Sequence, residues 1–243
     1  MFNIFRKEIN AFFSSLIGYI AIVVFLLTCG LFLWVFPDTS ILDYGYAGLD
    51  NLFQIAPWIF TFLIPAVTMR SFAEEFRSGT IEMLVTRPIS DMQIILGKYF
   101  AALFLVFCAL LPTFTYYITV YQLGAPPGNL DSGATIGSYL GLFLLGAAFT
   151  AIGIFASSLT ANQIVAFLLA VFLCFFCYTA FDYLSKLNIF YARLDSVVEN
   201  LGINAHYLSI SRGVIDTRDI LYFVSFVVVF LGLTQTVLES RKW

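Results

Sequence analysis

Two cysteines, Cys174 and Cys177, stand in a C-x-x-C pair, the spacing that serves thiol redox exchange or metal capture in a soluble βαβ setting. Here they lie inside VFLCFFCYTAF with no companion His, Asp or further Cys, so the pair reads as small apolar filling. Cys29 and Cys108 also fall in apolar runs. LLTCG around Cys29 resembles a lipoprotein cleavage site, but LFLWVF continues the apolar run where a processed lipoprotein turns polar. The single histidine, His206, belongs to no HExxH pattern, and no G-x-x-x-x-G-K-[ST] run is present to cradle nucleotide phosphates. The chain therefore reads as a non-catalytic subunit with no cofactor. Its ionisable residues concentrate instead in AEEFRSGTIEMLVTRPISD, which sets Glu74, Glu75, Arg77, Glu82, Arg87 and Asp91 between two apolar segments, with Gly79 and Pro88 as breakers. Such a patch reads either as a helix resting on the lipid headgroups or as a docking element for a cytoplasmic protein.

The elements that hold this patch are set by composition. The chain of 243 residues is 60% hydrophobic and 11% charged, whereas soluble domains run near ~45–50% apolar and ~25% charged. Too little charge is present to cover a water-facing surface, so the reading is an all-α integral membrane protein forming a single transmembrane domain over residues 1–243. A membrane helix needs about 20 mainly apolar residues. Apolar runs place six spans at about 16–36, 52–72, 94–120, 136–157, 163–181 and 220–239. The stretch Ile136–Phe181 carries no charge over 46 residues. At helical rise it would be roughly 69 Å long, about twice the hydrocarbon core, so it divides into two spans, with SSLTANQ as the turn. Pro112 is expected to bend the third span. The pairs Gly137/Gly141, Ala147/Ala151 and Gly153/Ser157 have the small-x-x-x-small spacing that lets helices approach closely, read here as internal packing. No ionisable residue falls in the middle of any span, which argues against ion-coupled carriers and intramembrane hydrolases.

Arg6, Lys7, Arg70, Arg77, Arg87, Lys98, Arg241 and Lys242 flank one set of span ends, whereas Pro37–Asn51 and Tyr121–Thr135 contain no basic residue. Basic short loops stay inside, so both termini are expected in the cytoplasm, with the chain in a bacterial inner membrane. Two amphipathic segments are expected to lie on the bilayer surface. One is an interfacial helix over about 2–15 with Phe2, Phe5, Ile9, Phe12 and Leu16 on its apolar side. The other lies in the outer segment 182–218, where Phe190, Leu194, Val197, Val198 and Leu201 share a face and Gly202 stops the helix.

Within the inner loop, residues 73–92, Gly79 breaks the extension of the second span. Thr80–Arg87 can then form a short helix with Ile81, Leu84 and Val85 on one side. Ser90 and Gln93 form a capping box at the start of the next helix, and Ile89 and Ile94 a hydrophobic staple. The run EEFRSGTIEMLVTRPISDMQIILGKYFA resembles the cytoplasmic segment of ABC-2 type ABC transporter permeases, at Glu74, Glu75, Gly79, Thr80, Glu82, Pro88, Ser90, Gly97, Lys98 and Tyr99. IGIFASSLTANQIVAF, ISRGVIDTRDILYF and LESRKW are similar to the gliding-motility branch of that family, GldF.

The resemblance implies six spans with cytoplasmic termini, an interfacial helix, a coupling helix that docks on a separate ATPase subunit, and re-entrant helices between the last two spans. It implies as partners a GldA-like cytoplasmic ATPase, a GldG-like second membrane subunit, a second permease half and the bilayer, with no nucleic acid. The docking residues would be Glu74, Glu75, Arg77, Gly79, Thr80, Ile81, Glu82, Leu84, Val85 and Arg87. The expected function is a permease subunit that couples ATP hydrolysis on a partner chain to conformational change or export, in gliding motility. The alternative is a membrane scaffold or anchor that transports nothing.

Overall fold

The computed structural model describes residues 1–43, 47–81, 90–186, 195–213 and 215–240. Helix α1 covers Phe2–Ser14, and an extended Ser15 separates it from α2, Leu16–Trp34. Helix α3, Asp50–Thr68, passes through Met69 into α4, Arg70–Ser78. Helix α5, Asp91–Leu110, meets a 3-10 turn at Leu111–Thr113 and continues as α6, Phe114–Leu123. Next come α7, Ser132–Leu159, and α8, Gln163–Phe175, which runs through a π-helical turn at Phe176–Ala180 into α9, Phe181–Ser185. The short α10, Asp195–Glu199, and α11, Ile203–Ser211, precede α12, Thr217–Ser240. Among the described residues, six segments are long and apolar enough to cross a membrane: α2, α3 with α4, α5 with α6, α7, α8 through α9, and α12. The protein is all-α and six-spanning, as the apolar runs predict.

Helix α7 is the hub, with α3, α4, α5, α8, α11 and α12 all packed on it. Its small residues are what make room for so many neighbours. A Cβ on Gly137 would meet Gly213 Cα and the Ile210 carbonyl at 3.1 Å, and one on Gly146 would meet Val106 Cγ1 at 2.8 Å. Lipid tails offer no hydrophobic drive between helices, so close backbone approach is what holds such a bundle. Phe25, Phe60, Leu142, Leu145 and Phe149 fill the core beside this hub. The peripheral faces carry exposed rows, Ile20, Val23, Val24 and Leu27 on α2 and Val224, Val228 and Val229 on α12, as lipid-facing surface requires.

Where the backbone loses a bond, a side chain replaces it. Pro57 has no N–H to give the Phe53 carbonyl four residues earlier, and the buried Tyr207 hydroxyl donates to that oxygen at 2.6 Å. Pro112 interrupts the third span as expected, at the 3-10 turn. The turn between the fourth and fifth spans is shorter than SSLTANQ suggests. Ser157 and Ser158 remain helical and buried in α7, and only residues 160–162 leave the helix, with Asn162 Oδ1 accepting the Ile164 N–H at 2.9 Å. Polarity read as a loop signal is here hydrogen bonding within a helix interface.

Candidate functional site

The bundle end that gathers α1, α4 and the start of α5 carries the charged patch, and it begins with a break in the second span. A helix that starts at Arg70 has first-turn N–H groups without intrahelical acceptors. Ser157 of α7 supplies the acceptor from another helix. Its Oγ accepts the Phe72 N–H at 2.9 Å and the Ala73 N–H at 3.1 Å, and donates to the Met69 carbonyl at 2.8 Å. One turn earlier on α7, Gly153 admits Thr68 so closely that any Cβ would collide with its hydroxyl. The small pair Gly153/Ser157 thus fixes the α3–α4 junction to the hub.

Behind α4 lies a compact charge cluster. Lys98 of α5, with its side chain only 2% exposed, donates from Nζ to Glu8 Oε1 of α1 at 2.9 Å and to the Ser71 carbonyl at 2.7 Å. The same ammonium lies 2.9 Å from Glu75 Oε1 of α4 and 5.1 Å from the Phe72 ring centroid. Lys7 adds a more exposed bond to Glu75 at 3.2 Å. Among the described residues two lysines face two glutamates, so their charges balance, and a single buried cation joins α1, α4 and α5. Glu75 Oε2 is buried with no hydrogen-bond partner among the described residues. Close approach of α1 depends on Gly97, where a Cβ would stand 2.9 Å from Ile4 Cβ. Helix α1 thus turns Ile4, Glu8 and Phe12 toward the bundle, while Phe2 and Leu16 of the expected stripe are more than 70% exposed.

The expected docking residues divide. Glu75 points inward to Lys98, while Glu74, Arg77, Gly79 and Thr80 lie toward the surface. Gly79 ends α4 in the left-handed region at φ 69°, with nothing within 4 Å of the position a Cβ would take. Ile81 packs, partly buried, against the cluster of Ile4, Phe72, Ile94 and Ile95. Glu82, Leu84, Val85 and Arg87 lie outside the described residues, as does Ile89 of the staple. The cap itself is present, with Ser90 Oγ accepting the Gln93 N–H at 3.4 Å.

At the opposite end, Phe190 and Leu194 likewise lie outside the described residues, and of the expected apolar face Val197 and Leu201 are exposed. Gly202 follows α10 as expected and also precedes α11, a helix that sequence periodicity missed. Ile203, Tyr207 and Ile210 of α11 are fully buried against α7. The i, i+4, i+7 spacing of those three residues was the available signal. Burial raises the Tyr207 phenol well above its ordinary range, with the neighbouring Tyr178 adding to the shift, so it stays protonated and able to donate. His206 Nδ1 lies 2.6 Å from Asp219 Oδ1, and Nε2 lies 2.9 Å from the Asn200 carbonyl. Its ring stacks on Tyr222 with centroids 3.9 Å apart, which ties α11 to α12. Among the described residues no group of three His, Cys, Asp or Glu is placed to hold a metal ion, and Cys174 and Cys177 are both free.

No curated protein matches the chain. Residues 37–234 match the family model described as ABC-2 family transporter protein, well over half of the sequence. The six spans and the break in the second one sit inside or beside that match, and on this ground the chain belongs to the ABC-2 family of membrane transporters.

Proposed function

We propose that the chain is one permease half of an ATP-driven complex of the gliding-motility kind, and that the segment 73–92 receives force from a separate cytoplasmic ATPase. The observation that carries this reading is the two-sided construction of α4. Its inner side is tied to α1, α5 and α7 through Glu75, Lys98, Glu8 and Ser157, while Glu74 and, just beyond the helix, Thr80 project outward. A push on the exposed side of α4 would therefore reach three helices at once. Helix α1 would lie at the inner headgroup level, and α11 would enter the bundle from the outer side as a re-entrant element. A GldA-like ATPase, a GldG-like membrane subunit and a second permease half would complete the assembly, with both termini cytoplasmic.

The test is to purify the tagged chain from native membranes, identify a copurifying P-loop ATPase by mass spectrometry, and measure its affinity for variants. Leu84→Asp and Glu74→Lys should weaken binding by at least tenfold, which is about 1.4 kcal/mol, with membrane abundance unchanged. A fluorophore at Arg77 should respond to vanadate-trapped nucleotide. Full binding by both variants would remove the docking role. Binding without any nucleotide response would favour the scaffold reading.

A further inference from the structure

At the end of the bundle remote from the charge cluster, a cavity of about 350 Å³ opens between α3, α7, the π-helical turn, α9 and α11. Its wall includes two carboxylates, Asp50 and Asp182, and the aromatic rings of Trp58, Tyr178, Tyr183 and Tyr207. Among the described residues no Lys, Arg or His lines it. Negative charge combined with aromatic faces is the composition that attracts a cation, because the ring quadrupole and the carboxylate pull in the same direction.

Two further observations narrow the ligand. Outside the lining, the chain's own Lys186 places its ammonium 2.8 Å from Asp182 Oδ2 and 5.9 Å from the Tyr183 ring centroid. The hydrogen bond and charge of Asp182 raise the Lys186 pKa above its ordinary value, and the lysine side chain is 67% exposed. An ammonium of the chain itself thus already pairs with a carboxylate and lies near a ring of two residues in this wall, on a side chain that is mostly in solvent. The second observation is the π-helical turn at Phe176–Ala180. Such turns are rare and frequently fall at functional sites. Here the turn supplies Tyr178 and Thr179 to the wall, and Tyr178 meets the Trp58 ring edge-on at 5.9 Å.

We infer that this pocket binds an organic ammonium group, with Asp182 as counter-ion, Trp58 and Tyr183 as ring faces, and Lys186, outside the lining, as the chain's own cation that competes for Asp182. The site lies apart from α4, and its binding needs no ATPase, so it stands or falls separately from the docking role.

The experiment uses the full chain in non-ionic maltoside micelles. Replacing the other two tryptophans, Trp34→Phe and Trp243→Phe, leaves Trp58 as the single reporter. Choline chloride is titrated at constant ionic strength beside its neutral isostere, 3,3-dimethylbutan-1-ol. Choline should change Trp58 fluorescence saturably, and the isostere should bind at least tenfold more weakly. Asp182→Asn should cost tenfold or more in choline affinity, and Tyr183→Leu several-fold. Lys186→Ala, at a side chain 67% exposed, should tighten choline several-fold by removing the competitor. No saturable signal, equal binding of the isostere, or unchanged affinity in Lys186→Ala would each overturn the proposal. Repeating the titration with phosphatidylcholine in the micelle assigns the source. Competition identifies a lipid headgroup as the ligand, and undiminished choline binding identifies a soluble ammonium compound.

Discussion

Replacing Lys98 by Met removes the one cation that, among the described residues, α1, α4 and α5 share. The side chain is 2% exposed and its carboxylate partners Glu8 and Glu75 are 14% and 11% exposed, so Met keeps the volume but leaves two acids facing each other at a largely dry site. Breaking a buried pair by deleting one partner costs about 3–5 kcal/mol. The slight exposure of both acids lets water relieve some of this, which places the expected loss near ~3 kcal/mol. At roughly 2–4 °C per kcal/mol for a chain of this size, the thermal midpoint in micelles should fall by about 6–12 °C. Lys7, with 59% of its side chain exposed, also bonds Glu75, yet an exposed pair is worth under about 1 kcal/mol, so Lys7→Ala should shift the midpoint by less than roughly 4 °C. The discriminating variant combines Lys98→Met with Glu8→Gln and Glu75→Gln. Neutralising the stranded acids should restore most of the lost stability, because the penalty belongs to the uncompensated charges. The assay is size-exclusion recovery after heating, with cysteine cross-linking of α1 to α4 as a local readout. A Lys98→Met midpoint within about 2 °C of the parent would refute the reasoning. So would a triple variant whose loss is the sum of the single losses.

Tyr207→Phe should cost about 1–3 kcal/mol in thermal unfolding, because the Phe53 carbonyl opened by Pro57 loses its donor inside the bundle. Gly97→Ala should lower stability and weaken α1–α4 cross-linking, since its Cβ would stand 2.9 Å from Ile4 and 3.2 Å from the Met1 carbonyl. Gly79→Val should cost roughly 1–2 kcal/mol from its positive φ alone, with no steric part, and Gly79→Asn should cost clearly less. The measurement for each is the thermal midpoint of the purified chain.

The spans were legible because apolar runs of twenty residues, in a chain so poor in charge, fit little besides a membrane crossing, and the proline in the third span marked its break correctly. Charge near the basic loops also pointed to the bundle end where α1, α4 and α5 meet. What sequence could not supply was direction. Glu74 and Glu75 are adjacent and chemically alike, yet one faces out and the other meets Lys98, a choice made by helical phase against a partner on a different span. Gly97 and Lys98 appeared as a motif without a mechanism, and the mechanism is a close approach of α1 that brings Glu8 to the ammonium. Periodicity alone did not place helix α11, which only the resemblance implied, because its three buried residues are interleaved with Asn204, His206 and Ser209, polar positions that read as loop, although His206 satisfies its polarity against Asp219 of the neighbouring helix.

The two ends of the hub are held by different forces, and this has a mechanical consequence. Near the charge cluster the ties are ionic and shared, Lys98 with Glu8 and Glu75, so moving any one helix strands charge on the others. At the remote end many ties are single neutral bonds and ring stacks, Tyr207 to Phe53, Tyr139 to the Thr113 carbonyl, and Phe114 on Tyr139 at 4.5 Å. A neutral hydrogen bond contributes about 1 kcal/mol net and can be exchanged for another acceptor, whereas a stranded buried charge costs several times more. Displacement of α4 would thus move α1 and α5 with it as a block. The His206–Asp219 pair keeps α11 on α12, so the neutral contacts of α11 with α3, and the π-helical turn where α8 already departs from regular geometry, are where the bundle can rearrange.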